Sequence, residues 1–232
     1  MSMIQPHNWD LSPGEAKLLQ CDLATRVRFQ PLPRHFRVLG ASDIGYAKSC
    51  DKLVAVVVTF TWPDLSSLEA VYEVATARFP YVPGLLSFRE APALIAAFEK
   101  LRDPPEVLLC DGQGIAHPRR FGLASHVGLC LGVPTVGCAK RRLCGEHGTL
   151  RPERGSSTPL MLNDEEVGCV LRSRDGVKPI YVSPGHLADV SSSVELVTAC
   201  LRRFRIPEPL RRAHNLATEL RRRLASSYAG PS

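Results

Sequence analysis

The run Val107-Leu108-Leu109-Cys110 is apolar at every position, stops at Asp111, and is followed by the turn tripeptide Gly112-Gln113-Gly114. An unbroken apolar run of this length is the pattern of a strand covered on both faces, which requires a sheet with packing layers on either side. A carboxylate at the end of such a strand needs a cation, an Arg or Lys, or a set of N–H donors, because an unpaired buried charge costs several kcal/mol or is driven neutral.

The chain of 232 residues is 44% hydrophobic and 22% charged, which suits one compact domain over residues 1–232 better than two small ones. No stretch approaches the roughly 20 apolar residues of a membrane span. The segment Met1-Ser2-Met3-Ile4-Gln5-Pro6 lacks a basic-then-apolar signal pattern. A soluble, cytoplasmic protein without a membrane partner is the expectation. The eight cysteines (21, 50, 110, 130, 138, 144, 169 and 200) form no Cys-x-x-Cys pair and read as small buried hydrophobes in a reducing compartment. Cys144 with His147 resembles half a zinc site, but no second half with matching spacing follows.

The charge is unevenly placed. Eight arginines between Arg202 and Arg223 face only Glu208 and Glu219, an excess equal to the formal +6 of the whole chain. An arginine-rich surface suits phosphate contacts; a solvated helix face explains it equally well.

Ser12-Pro13-Gly14-Glu15 fits a capping box opening a helix with Ala16, Leu19, Leu23 and Val27 on one stripe. Phe36–Leu39, Leu53–Phe60 and Ala70–Ala77 read as three antiparallel strands, with hairpin turns at Lys48–Asp51 and Trp62–Asp64. After the loop Pro80–Gly84 comes a helix on Leu94, Ala97, Phe98 and Leu101, with Pro92 in its first turn and Glu90 near its N-terminal end. The Asp111 strand, a helix on Leu123, Val127 and Leu131, and a strand at Thr135–Cys138 give an alternation that favours parallel pairing on the far side of the sheet. Residues 145–159 read as a polar, mobile loop. Asn163-Asp164 and Asp175-Gly176 are hairpin signals, and a helix carrying Val194, Val197, Leu201 and Phe204 precedes a last one carrying Leu210, Ala213, Ala217, Leu220 and Leu224. These two make a basic helical region from about residue 189 to 225. The expectation is an α/β fold with a mixed sheet, three antiparallel strands followed by parallel ones, flanked by helices.

Asp43 has a similar setting to Asp111: Val38 to Ser42 lead out of an apolar strand into it, and Gly45 is expected to turn the chain just after. If the two strands are neighbours, the carboxylates converge and raise each other's pKa unless a cation sits between them. Oxygen ligands in a wet cleft favour magnesium, with manganese able to substitute. Glu90 can add a third carboxylate, and such a trio can hold two ions that clamp an in-line phosphoryl displacement; an acid at a helix start also stabilises the helix dipole without any catalytic role. A dinucleotide-binding reading of Asp111–Gly114 fails, because the third glycine of that fingerprint would fall at His117.

The segments Pro80-Tyr81-Val82-Pro83-Gly84-Leu85-Leu86-Ser87-Phe88-Arg89-Glu90 and Asp111-Gly112-Gln113-Gly114-Ile115-Ala116-His117-Pro118-Arg119-Arg120 resemble the endonuclease V family. The likeness continues through residues 122–126, 134–140, 183–186 and 205–209, and is weak only at 145–159 and at the termini. It implies a ribonuclease H-like fold and magnesium-dependent nicking of DNA at the second phosphodiester bond 3′ to deoxyinosine. Asp43, Glu90 and Asp111 would be the metal-binding catalytic carboxylates.

The resemblance also implies that Pro80, Tyr81, Val82 and Pro83 form a wedge, with Tyr81 and Val82 presented to solvent, that compensates for unstacking a flipped base. Gly84, Leu86, Gly112, His117 and Leu123 would line the base pocket, and Lys140 would neutralise phosphate beside the metals. Leu86 and Leu123 also fit ordinary core, and His117 also fits a loop-fixing hydrogen bond. His214, on the inward side of its helix, stands where the family often has Asp, which favours water-mediated or proton-transfer work over direct metal ligation. The expected partner is DNA with deaminated bases, bound by a monomer. The alternatives are an endoribonuclease on inosine-containing single-stranded RNA and a non-cleaving binder of deaminated nucleic acid.

Overall fold

The computed structural model describes residues 7–228; the segment Met1–Pro6, read above for a signal pattern, lies outside them. Helix α1 (Pro13–Ala24) opens with the expected capping box, Ser12 and Glu15 satisfying each other's backbone N–H groups. Three long strands follow, β1 (Val38–Ala47), β2 (Lys52–Thr61) and β3 (Ser67–Thr76), paired antiparallel. Then come α2 (Leu86–Phe98), β4 (Val107–Cys110), α3 (Leu123–Leu131) and β5 (Thr135–Ala139). A three-strand meander, β6 (Ser157–Leu162), β7 (Glu165–Leu171) and β8 (Ile180–Pro184), precedes α4 (Val190–Ala199) and α5 (Glu208–Tyr228).

All eight strands join one sheet in the order β3-β2-β1-β4-β5-β8-β7-β6. The pairs β1–β4 and β4–β5 are parallel, as the strand–helix alternation requires, but the far side returns to antiparallel pairing through β8, β7 and β6. The reason is local: Asn163 and Asp164 both adopt positive φ and close β6 onto β7 as a two-residue hairpin. β6 begins at Ser157, inside the stretch expected as loop, and the connection around Asp175-Gly176 is a wide turn rather than a tight hairpin.

Helices cover both faces. On one, Leu39, Ala41, Val56, Val107, Leu109 and Val136 pack under α4 and α5. On the other, Ala55 and Val57 of β2 pack with Leu108 and Cys110 of β4 under α2 and α3. β4 is buried at all four residues because it is central and covered twice. Five cysteines are buried as expected, whereas Cys21 is exposed and Cys50 and Cys144 are half-buried. Helix α2 begins at Leu86, so Pro92 lies in its second turn, not its first, and Leu101 falls beyond its end. Helix α4 stops at Ala199, leaving Leu201 and Phe204 in the connection to α5. Among the described residues no helix is long and apolar enough to cross a membrane.

Candidate active site

Parallel pairing sets Ser42 opposite Cys110, so the next residues along the two strands are Asp43 and Asp111. The Asp111 N–H donates to the Ser42 carbonyl at 3.1 Å. Both carboxylates have the strand parity of Leu39, Ala41, Val107 and Leu109, and therefore sit on the face covered by α5. Asp43 is not at a strand end: β1 runs on to Ala47 because β2 pairs with it along its whole length, and Gly45 stays in the ladder opposite Val54. What Gly45 provides is close approach. A Cβ there would lie 3.2 Å from Arg221 Cδ and 3.3 Å from the Ala217 carbonyl, so α5 crosses β1 tightly at this point.

That crossing places His214. Its Nδ1 lies 2.8 Å from Asp43 Oδ2, and its side chain is 49% exposed, so it faces the cleft rather than filling the core. Lys140, just past β5, pairs with Asp111 Oδ2. One ligand atom from each of Asp43, Asp111 and His214 lies within 4.8 Å of the others, a grouping able to hold a metal ion. Glu90 reaches the same region from α2, which packs on the opposite face, without joining that trio. Burial first, and then the Asp43 and Asp111 charges, push its carboxyl up to about 8. Burial and the Asp43 charge likewise raise Asp111, against the pull of Lys140. The mostly hard donor set, crowded negative charge and one imidazole fit a divalent cation of the magnesium or manganese kind.

The loop before α2 is held from below. Tyr81 is 72% exposed and Pro80 and Pro83 are exposed too, but Val82 is half-buried against the cluster of Ala16, Phe79, Leu85 and Phe88. The expected presentation of Val82 is therefore only partial, because its side chain packs on that cluster while Tyr81 stands clear of it. Gly84 adopts φ +78, and its carbonyl accepts from Gln20 Nε2 at 3.0 Å and Arg119 Nη2 at 2.7 Å. Gln20, fully buried on α1, also donates to the Phe121 carbonyl at 2.7 Å and accepts from Arg119 Nε.

His117 is 4% exposed, beneath this loop rather than on an open wall. Its Nδ1 accepts the Arg119 N–H at 3.1 Å, while burial first and the Arg119 charge second push its pKa down to about 4. It is a neutral fastening of the loop. Leu86 is exposed and Leu123 buried, and a Cβ on Gly112 would meet Leu123 at 3.4 Å. Gln20 was not anticipated from sequence, although a polar residue on the same helical stripe as Ala16, Leu23 and Val27 was the available signal.

The C-terminal arginines divide. Arg205 donates to the carbonyls of Lys140 and Pro179 at 2.7 Å each, so it steadies the Lys140 segment. Arg211 and Arg212 pair with Glu208, Arg223 pairs with Glu219, and Arg202 bonds the Ala199 carbonyl. Among the described residues Arg221 and Arg222 form no ion pair, and Arg221 lies over β1 beside Gly45. The half-site of Cys144 and His147 gathers no third ligand among the described residues; His147 Nδ1 bonds the Gly148 carbonyl instead.

Known proteins share the sequence pattern and the fold. The chain matches the family model described as Endonuclease V over residues 21–215. It is 47% identical over 211 residues to an Endonuclease V of Methanothrix thermoacetophila, covering 91% of this chain and 93% of that protein. The crystal structure of the Endonuclease V from Streptomyces avermitilis superposes with a TM-score of 0.88 at 38% identity, covering 94% of this chain and 96% of the other. The fold is shared also with Ciona intestinalis Endonuclease V, solved in complex with a 23mer DNA containing an inosine followed by a ribo-adenosine: TM-score 0.79, 22% identity, 92% of this chain and all of that one.

Proposed function

The chain belongs to the endonuclease V family, and from that premise we propose that it hydrolyses the second phosphodiester bond 3′ to deoxyinosine and related deaminated bases in DNA, leaving the lesion on the nicked strand. The observation that carries this reading is the convergence of Asp43, Asp111 and His214 with the half-buried Glu90 beside them. Asp43, Asp111 and Glu90 would hold Mg2+, or Mn2+ in its place, with His214 at the Asp43 carboxylate. When bound, the metal supplies an activated water and charge stabilisation at the phosphate.

The chain's own groups do the rest. Asp43 and Asp111, rigidly placed on neighbouring strands, would fix the position of the metal site. His214, half-exposed and hydrogen-bonded to Asp43, is placed to accept a proton from the attacking water or to orient it. Lys140, held by its pairing with Asp111, balances negative charge that develops on the phosphate. Tyr81 supports specificity by stacking where a base has left the helix, because it is an aromatic on a loop pinned at Gly84 and loses little ordering entropy on contact. The backbones of Gly84 and Gly112, with Leu86, flank the space for the extruded base. The inosine-containing DNA bound by the Ciona protein is in keeping with this substrate class.

The test is cleavage in Mg2+ of matched deoxyinosine duplex and inosine single-stranded RNA, by the wild type and by Asp43→Ala and Asp111→Ala. Product length on the duplex reports the bond cut. Faster cleavage of RNA overturns the DNA assignment, and undiminished activity in either variant overturns the metal mechanism.

A further inference from the structure

Away from the acidic cluster, on the opposite face of the sheet, three further metal-ligating side chains meet. His126 and Cys130 stand four residues apart on one side of α3, and His7 reaches them from the segment before α1. One ligand atom of each lies within 4.8 Å of the others. The two imidazoles point Nε2 at Nε2, 2.8 Å apart. Their remaining ring nitrogens are both held by oxygen, His7 Nδ1 by the Asn8 carbonyl at 2.6 Å and His126 Nδ1 by Ser87 Oγ at 3.0 Å. Trp9 stacks on the His126 ring at 4.9 Å between centroids and fixes its plane.

We infer that His7, His126 and Cys130 form a second metal site, for a zinc-like divalent ion, that fastens the segment around His7 and Trp9 to α2 and α3. Two imidazoles facing each other through one nitrogen, with the other anchored to oxygen, have the orientation of metal ligands with their supporting shell in place. The nitrogen and sulfur donors suit Zn2+ and not the hard cation of the acidic cluster. In the metal-free protein the Nε2 atoms share a hydrogen-bonding proton. Opening that contact by about half an ångström brings both to the usual Zn–N distance of about 2.0 Å from a common ion. The half-buried His7, on an irregular segment, can make that movement.

Binding is balanced in protons. His126 moves its proton from Nε2 to Nδ1, where it donates to Ser87 Oγ, and Cys130 releases its thiol proton to solvent as the metal–sulfur bond forms. Burial lowers the pKa of both histidines and so keeps them in the neutral state a metal needs. Burial also pushes the Cys130 thiol up to about 12, so affinity rises with pH. Water completes the fourth position.

Cobalt(II) is the probe, since a cysteine thiolate bound to it gives a near-ultraviolet charge-transfer band that oxygen and nitrogen ligands do not. Titration of the reduced full chain is expected to raise this band to saturation at one thiolate-bound ion per chain. Asp43→Asn keeps it, Cys130→Ser abolishes it, and His7→Ala, on a half-buried side chain outside the core, weakens the affinity about tenfold or more. Displacement of the band by Zn2+ with a matching rise in melting temperature completes the expectation. Absence of the band from the wild type, its persistence in Cys130→Ser, or an unchanged affinity in His7→Ala overturns the assignment, and none of these outcomes bears on deoxyinosine cleavage.

Discussion

Glu90→Gln separates the electrostatics of the acidic cluster from its chemistry. Burial, with the charges of Asp43 and Asp111, carries the Glu90 carboxyl from its ordinary value of 4.5 up to about 8 in the metal-free protein. The folded state therefore keeps a proton that the unfolded chain releases near 4.5, and its stability falls as pH rises through the window between the two values. At about 1.4 kcal/mol per pH unit the full displacement amounts to about 5 kcal/mol. Side-chain relaxation and water entry lower this, since buried sites behave as though their dielectric were about 20, so the expected loss is about 2–3 kcal/mol between about pH 4.5 and about pH 8. The glutamine variant carries no titrating group here and should lack that part of the slope. Urea unfolding in EDTA at constant ionic strength, wild type against Glu90→Gln, reads the difference directly; the raised Asp111 contributes to both curves. Added Mg2+ should restore the wild type most at high pH, where the repelled charge is largest. Parallel stability curves for the two proteins would refute the reasoning, because they would mean that neither burial nor the neighbouring charges perturb this carboxyl.

Four other outcomes follow from the geometry. Lys140→Met removes the partner of Asp111 and, on the proposed reading, a cation beside the phosphate, and kcat should fall about 10²–10³-fold with KM little changed in steady-state cleavage. Tyr81→Ala, at a 72% exposed position, should leave the unfolding free energy within about 0.5 kcal/mol of wild type while lowering cleavage of paired deoxyinosine more than of single-stranded deoxyinosine; equal losses on both would remove the wedge role. Gln20→Leu strands the Phe121 carbonyl and Arg119 Nε and takes one of two donors from the Gly84 carbonyl, so chemical denaturation should show a loss of about 1–3 kcal/mol, and proteolysis should begin in the 80–84 loop. Neutralising Arg221 and Arg222 together should flatten the slope of log binding constant against log salt by up to about 1.8 on duplex DNA; an unchanged slope returns them to a solvated helix face.

How far the sequence could be read depended on whether the governing interaction was local. Capping at Ser12, the Asn163-Asp164 hairpin and the double burial of β4 rest on neighbours in the chain, and each was legible. The sequence also singled out Asp43 and Asp111, because a carboxylate following an apolar run is unusual in any context, and the register of β1 with β4 sets them side by side. The extent of β1 was not legible: after Ala41 the apolar run is broken by Ser42, Asp43 and Gly45, and only pairing with β2 carries the strand through to Ala47. The sequence named His214 but left its surroundings open for a related reason. Helical spacing puts it near the inward stripe of α5, but whether that edge meets core or cleft depends on where the helix crosses the sheet, and the crossing is set by Gly45.

By itself the amino-acid sequence determined the elements, the mixed sheet and the residue types gathered for a metal, since apolar periodicity and turn chemistry act over a few residues. Only the tertiary structure decided which of those residues meet. Register between β1 and β4 brings Asp43 beside Asp111, the α5 crossing brings His214 to them in preference to Glu90, and a glutamine from α1 holds the loop of Tyr81. Those contacts join segments tens to more than a hundred residues apart, and their distances follow from packing that no local pattern encodes.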